Sequence, residues 1–114
     1  MKKLIPRIIG LYFNILAYIH PKATARQGFI LFCTPFAKKL KPDQRSFLEA
    51  AKHNTITVQD ISIQTYKWGT GSRKILLIHG WASHSYRWKS YIKALTENNY
   101  EVHALDAPAH GLSE

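Results

Sequence analysis

The sequence is poor in acidic residues and in cysteine, and both shortages narrow the classes of protein that it can encode. Seven Asp and Glu stand against sixteen Lys and Arg among the 114 residues, which gives a formal charge of +9. The single cysteine excludes an internal disulfide, so the chain is compatible with a reducing compartment such as the cytoplasm. The apolar setting of Cys33, GFILFCTPF, is typical of a buried structural thiol.

The sequence also lacks an apolar run of the ~20 residues that a membrane-spanning helix needs. Residues 1–20, MKKLIPRIIGLYFNILAYIH, predict a shorter helix that is apolar nearly all round, with a weaker stripe at Gly10, Asn14 and Tyr18. Three interpretations stay open: packing on the rest of the protein, peripheral docking at a membrane interface, or a secretory signal cleaved near Ala25. The charged and proline residues that interrupt the apolar run argue against the signal.

The positive charge is concentrated at one end of the chain. Residues 1–53 hold ten Lys and Arg against two acids, a net +8, whereas residues 54–114 hold six against five, a net +1. Apolar rather than polar residues separate the cations, so the pattern favours an anionic membrane surface over a nucleic acid. Lys2 and Lys3 fit a basic leader, and Lys38 belongs to a solvated connection. No nucleic-acid partner is expected.

Helical patterns fill the first half of the chain. Pro21 can open a second helix that stops near Thr34-Pro35, and Pro42 can open a third. The apolar helical pattern ends near His53-Asn54, so we predict a basic, apolar helical extension over residues 1–53 and a separate region over residues 54–114.

From Thr55 the period of the apolar residues changes to two. The alternation predicts strands on either side of Gln59-Asp60, the second of them Ile61–Trp68, as an antiparallel hairpin. The continuous run Ile75–Ile78 predicts a strand covered on both faces, as in parallel sheets.

A helix near Ser85–Asn98 and a strand over Tyr100–Asp106 complete the pattern. The two strands on either side of this helix should be adjacent and parallel. The fold class is therefore α/β, with a leading antiparallel hairpin, a βαβ unit and a preceding helical extension.

Two motifs carry a resemblance to a known family. The first is His79-Gly80-Trp81 after the apolar strand, and the second is DAPAHGLSE after the strand YEVHALD. Over about residues 55–114 the chain resembles the N-terminal part of an α/β-hydrolase. Ala109 stands where the family's D-x-P-G-H-G-x-S pattern has its first glycine, and alanine resists the positive φ that glycine allows.

The resemblance implies specific roles for six residues. The backbone amide of Trp81 would supply one arm of the oxyanion hole, the set of donors that stabilises a developing oxyanion. The supporting positions of the two loops are then His79, Gly80, Asp106, His110 and Ser113.

The pattern G-x-S-x-G of a nucleophile elbow is absent from the 114 residues. Because the family's triad runs in the order Ser, acid, His, the resemblance implies a chain truncated before the elbow and inactive by itself. Neither His79 nor His110 is then the catalytic base. Ser113 is not expected to be the nucleophile, since no strand leads directly into it.

The resemblance implies that the full-length protein is a serine-type hydrolase of carboxylic esters or related acyl substrates, without a cofactor. His53, His84 and His103 lack partners at metal-ligand spacing, so no metal site is predicted. Two alternatives stay open: a relative of dehalogenases and epoxide hydrolases with an aspartate nucleophile, or a noncatalytic membrane-interaction protein using residues 1–53. The expected location is cytoplasmic, with peripheral membrane contact through residues 1–20, and the oligomeric state stays open.

Overall fold

The computed structural model describes residues 4–35 and 39–114, and the chain forms two compact units, Met1–Thr34 and Pro35–Glu114. The predictions made for Lys2, Lys3 and Lys38 lie outside the described residues.

The first unit is a hairpin of two helices, α1 (Leu4–Ile19) and α2 (Pro21–Cys33). Proline at the first position of α2 lacks the amide hydrogen that a helix start leaves unpaired, so it begins a helix readily. The Tyr12 hydroxyl donates to Gln27 Oε1 at 3.1 Å, and Gly28 lies against the Phe13 ring, so the two helices pack side by side. The prediction of helix for this segment is confirmed.

The prediction of a buried thiol is wrong, because Cys33 is exposed at the end of α2. Apolar neighbours in sequence do not bury a side chain when the helix that carries them is itself uncovered, and no side chain of α1 or α2 is buried. Within the described residues, no helix is both long and apolar enough to cross a bilayer.

The second unit is a four-stranded mixed sheet with helices. Its elements in chain order are α3 (Pro42–Glu49), β1 (Lys52–Val58), β2 (Ile61–Trp68), β3 (Arg73–Ile78), a 3₁₀ turn (Ser85–Trp88), α4 (Lys89–Glu97) and β4 (Tyr100–Leu105). The strand order is β1-β2-β4-β3, in which β1 and β4 each run antiparallel to β2, and β3 runs parallel to β4. The predicted hairpin and the predicted parallel pair are both confirmed.

The hairpin turn uses two residues in the left-handed region, Gln59 at φ 49° and Asp60 at φ 65°. Positive φ at both central residues gives the turn whose twist matches that of paired strands, although glycine and asparagine are the usual occupants. Only the alternating pattern on either side pointed to this turn.

The main core cluster lies on the face of the sheet that carries Tyr66 and Ala104. Leu48 of α3 is fully buried and packs with Ala51, Tyr66 and Ala104. Because α3 contributes this side chain, the segment belongs with the sheet, and the two units divide at Thr34–Pro35, whereas the sequence placed the boundary near His53-Asn54.

The expectation that β3 is covered on both faces is not met within the described residues. Leu77 packs against the core, but Leu76 and Ile78, which point to the opposite face, are exposed over 55% and 56% of their surface. An unbroken apolar run shows only that both faces of a strand tolerate burial. In this structure α3 and the 3₁₀ turn supply core side chains on the face of β3 that carries Leu77.

Candidate functional site

Two loops leave the same edge of the sheet. We call residues 79–84, which follow β3, loop A, and residues 106–113, which follow β4, loop B. Because β3 and β4 are parallel neighbours in which Ile78 pairs with Leu105, the loops begin side by side. The carboxyl edge of parallel strands is where open α/β sheets bind their ligands.

A buried carboxylate at the start of loop B organises this edge. Asp106 is fully buried and accepts four hydrogen bonds. Its Oδ1 accepts from the backbone N–H and the hydroxyl of Ser85, each at 2.7 Å. Its Oδ2 accepts from the Tyr66 hydroxyl at 2.8 Å and from the Leu112 N–H at 2.9 Å. The carboxylate thereby joins β2, the start of the helical segment and the end of loop B.

The hydroxyl of Tyr66 is held in its protonated form by the same arrangement. Burial, together with the hydrogen bond to Asp106, raises the pKa of Tyr66 above its ordinary value of 10. The hydroxyl is therefore the donor of the bond to Asp106 Oδ2 at neutral pH.

Two histidines bind the loops to each other reciprocally. His79 Nε2, in loop A, accepts from the Ala107 N–H of loop B at 3.0 Å, and His110 Nε2, in loop B, accepts from the Ala82 N–H of loop A at 3.0 Å. The other ring nitrogen of each histidine lies 2.8 Å from a backbone carbonyl of its own loop, that of Gly80 or of Pro108.

This pattern fixes the tautomer of both rings. A ring nitrogen that accepts from a backbone N–H carries no hydrogen, so in each histidine Nδ1 carries it and donates it to the nearby carbonyl. Both nitrogens of each ring are therefore already hydrogen-bonded. The geometry gives them the task of holding the loops together.

Glycine is required in loop B but not in loop A. Gly111 has φ +55°, and a Cβ there would lie inside van der Waals contact with the Asp106 carboxylate. Gly80 has no left-handed φ and has open space where a Cβ would be, so neither backbone conformation nor space demands glycine at this position. The left-handed residue of loop A is Ala82, at φ 50°.

Ala109 adopts the left-handed conformation without the freedom of glycine. Its φ is 60°, the region that the sequence comparison with the family pattern suggested alanine would resist. The Ala109 N–H donates to the Glu114 carbonyl at 2.7 Å, one of the bonds that hold loop B in this conformation.

Trp81 and Ser113 occupy different surroundings. The Trp81 side chain is 58% exposed and makes a T-shaped contact with the His110 ring at 5.5 Å between centroids. The Ser113 hydroxyl donates to the Asp106 carbonyl at 2.6 Å and accepts from the Gln64 N–H at 2.8 Å. The hydroxyl of Ser113 therefore bridges loop B to β2.

Sequence reasoning missed Ser85, Tyr66, Gln64 and Leu112, all of which contact Asp106 or Ser113. Ser85 carries a usable signal, since serine at the start of a helical pattern commonly makes a local hydrogen bond.

A cavity of about 520 Å³ lies against the sheet, and His53 and His103 are among its lining residues. None of the predicted site residues lines this cavity.

No protein-family model matches the chain, and no curated protein does either. Solved structures do. The thioesterase domain from the curacin biosynthetic pathway matches with a TM-score of 0.53 and 26% identity, over 57% of this chain and 24% of that one. An epoxide hydrolase from Vigna radiata matches at 0.52 and 30%, over 59% and 22%. A bromoperoxidase from Bacillus anthracis matches at 0.52 and 29%, over 55% and 23%.

These neighbours are α/β-hydrolase-fold proteins, and the present chain has the fold of the leading part of that sheet. The chain spans about a quarter or less of the length of each of these structures. The likeness supports a relationship to hydrolases of this fold.

Proposed function

We propose that the chain carries one arm of the oxyanion hole of a serine-type α/β-hydrolase acting on carboxylic esters or related acyl substrates, with the Trp81 backbone amide as donor. Attack on an acyl carbonyl develops negative charge on oxygen, and a prealigned N–H stabilises it. The observation that carries the proposal is the pair of hydrogen bonds between loop A and loop B. In each bond a backbone N–H of one loop donates to a histidine ring of the other. A donor on a loop held in this way needs little reorganisation during reaction.

The neighbouring structures support two substrate classes. The thioesterase favours acyl transfer chemistry, and the epoxide hydrolase favours a second candidate function, opening of an epoxide by an aspartate nucleophile. The nucleophile distinguishes the two candidate functions, since a serine would serve the first and an aspartate the second. The 114 residues contain no G-x-S-x-G pattern. In both proposals the nucleophile, the acid and the base are supplied by residues other than these 114.

The test removes the proposed donor without changing a side chain. In the protein expressed from the complete reading frame, Trp81 is replaced by its α-hydroxy analogue, which converts the amide N–H into an ester oxygen. We expect kcat on activated acyl esters to fall by roughly 100- to 1000-fold, the usual effect of losing one oxyanion donor. The matched control is the same replacement at Tyr91, an exposed residue of α4 away from both loops.

Substrate comparison separates the two candidate functions. Hydrolysis of acyl esters and thioesters supports the first proposal, whereas turnover of styrene oxide without ester hydrolysis supports the second. Wild-type kcat in the Trp81 analogue, with the Tyr91 control equally active, would contradict the role of the amide. The 114-residue chain alone serves as the background and is expected to show no ester turnover; activity of that chain abolished by Ser113→Ala would refute the assignment of Ser113.

A further inference from the structure

The helical hairpin displays apolar side chains on most of its surface. Those exposed in α1 and α2 are Leu4, Ile5, Ile8, Ile9, Leu11, Tyr12, Ile15, Tyr18, Ile19, Phe29, Ile30, Leu31 and Phe32. A water-soluble surface rarely presents so continuous an apolar patch, and such a patch commonly marks a contact with a partner or a membrane.

Five of the exposed apolar side chains of α1 form a stripe along one side of the helix. Positions 4, 8, 11, 15 and 19 follow the spacing of three and four residues that keeps side chains on one helix face. Phe13 and Leu16, which are partly covered, point to another side, and Phe13 meets Gly28 of α2. The pairing of the two helices therefore leaves the stripe, which we call the α1 stripe, uncovered within this unit.

The charges of this segment are all of one sign. Residues 1–42 contain no Asp or Glu, and the described hairpin carries Arg7, Lys22 and Arg26. A second copy of the hairpin would bring like charges together, whereas an anionic surface complements them. Apolar stripe and cations together match the composition of helices that lie in the headgroup region of a bilayer.

We propose that the α1–α2 hairpin docks in the plane of an anionic phospholipid membrane, with the α1 stripe immersed among the upper acyl chains and the cations at the phosphate level. Sixteen residues of α1 extend about 24 Å, less than the ~30 Å hydrocarbon thickness, which fits a helix lying in the interface. The docking would place the second unit, with its two loops, at a lipid surface.

The single cysteine provides a direct reporter. Cys33 is exposed at the end of α2 and is the sole cysteine of the chain, so a polarity-sensitive fluorophore can be attached there without mutation. The labelled 114-residue chain is titrated with vesicles of phosphatidylcholine containing about one-third phosphatidylglycerol, and with pure phosphatidylcholine vesicles. We expect a blue shift and co-flotation with the anionic vesicles, and about 100-fold weaker binding to the neutral ones.

Variants separate the apolar contribution from the charge. Ile15→Glu, in the middle of the α1 stripe, should weaken partitioning by at least about ten-fold. The triple variant Arg7→Gln, Lys22→Gln, Arg26→Gln should weaken it by about 100-fold, since each cation near an anionic surface contributes roughly five-fold. The matched control Tyr91→Glu, an exposed aromatic of the sheet unit, should bind within about two-fold of wild type.

Helix content is followed by circular dichroism in every variant. Leu4→Glu is a second probe of the stripe, because an acidic residue in the first turn favours the helix and cannot weaken binding by unfolding it. The proposal is overturned if the wild type fails to bind anionic vesicles, or if Ile15→Glu and Leu4→Glu bind as well as wild type. A label already blue-shifted without lipid, or a dimer that Ile15→Glu dissociates, would equally overturn it by showing that protein covers the hairpin.

Discussion

Removing one hydroxyl tests whether the Asp106 carboxylate stabilises the sheet edge. Tyr66→Phe keeps the buried ring beside Trp68 and deletes the O–H that donates to Oδ2 at 2.8 Å. A hydrogen bond to a charged group contributes roughly 1.5–3 kcal/mol, and the substitution leaves part of a buried carboxylate without a donor. We therefore expect the free energy of unfolding to fall by about 2 kcal/mol.

Urea unfolding followed by tryptophan fluorescence measures this change. All three tryptophans, Trp68, Trp81 and Trp88, lie in the unit that contains the sheet, so the signal reports on that unit. The matched control is Tyr91→Phe, which removes a hydroxyl from an exposed tyrosine and should change the free energy by less than about 0.5 kcal/mol.

A double-mutant cycle shows whether the donors act through the same acceptor. Ser85→Ala removes the hydroxyl bonded to Oδ1 and should destabilise the unit by a similar amount. Because both hydroxyls bond one carboxylate, the effects of Tyr66→Phe and Ser85→Ala should depart from additivity by at least about 0.5 kcal/mol. Strict additivity, or a Tyr66→Phe variant as stable as the Tyr91→Phe control, would refute the reasoning.

Two further predictions concern the glycines of the two loops and the Glu101 carboxylate of β4. Gly111→Ala should lower the free energy of unfolding by at least about 2 kcal/mol, since left-handed backbone alone costs alanine roughly 1–2 kcal/mol and the methyl group would strike the buried carboxylate. Gly80→Ala, in open space, should change it by less than about 0.5 kcal/mol in the same urea assay, and equal effects would contradict this contrast. The hydrogen bond from Lys67, then that from His103, lowers the pKa of Glu101 to about 2 from 4.5. The stability that this pairing contributes is complete above pH 4.5 and is lost as the pH falls toward 2. Urea midpoints of wild type and Glu101→Gln should therefore converge over that interval, and a constant difference would show that the carboxylate is not paired in solution.

The elements of the sheet followed from the sequence because their signals are local. Alternating residues around Gln59-Asp60 predict a hairpin, and Ile75–Ile78 followed by a helix and Tyr100–Asp106 predicts a parallel pair. Motif spacing also located both loops at the ends of strands. Each of these inferences uses residues within one element or in adjacent ones.

The hydrogen bonds that hold the loops could not be inferred in the same way. Asp106 bonds Ser85 and Tyr66 across 21 and 40 residues, and no local pattern pairs them. Cys33 and Ile78 were expected to be buried and are exposed. Apolar neighbours in sequence show that a position tolerates burial, but they do not show that another element covers it. Gly80 shows that a glycine in a recognisable motif need not have a glycine-specific φ.

The reciprocal histidine bonds couple the folding of loop A to that of loop B. The bond between His79 and Ala107 closes a ring over residues 79–107, and the bond between Ala82 and His110 closes an overlapping ring over residues 82–110. The entropy lost in closing a ring falls mainly on whichever bond forms first, because the second then joins groups that are already near each other. This edge of the sheet should consequently fold and unfold in one cooperative step, so a substitution that destabilises either loop would destabilise the other as well.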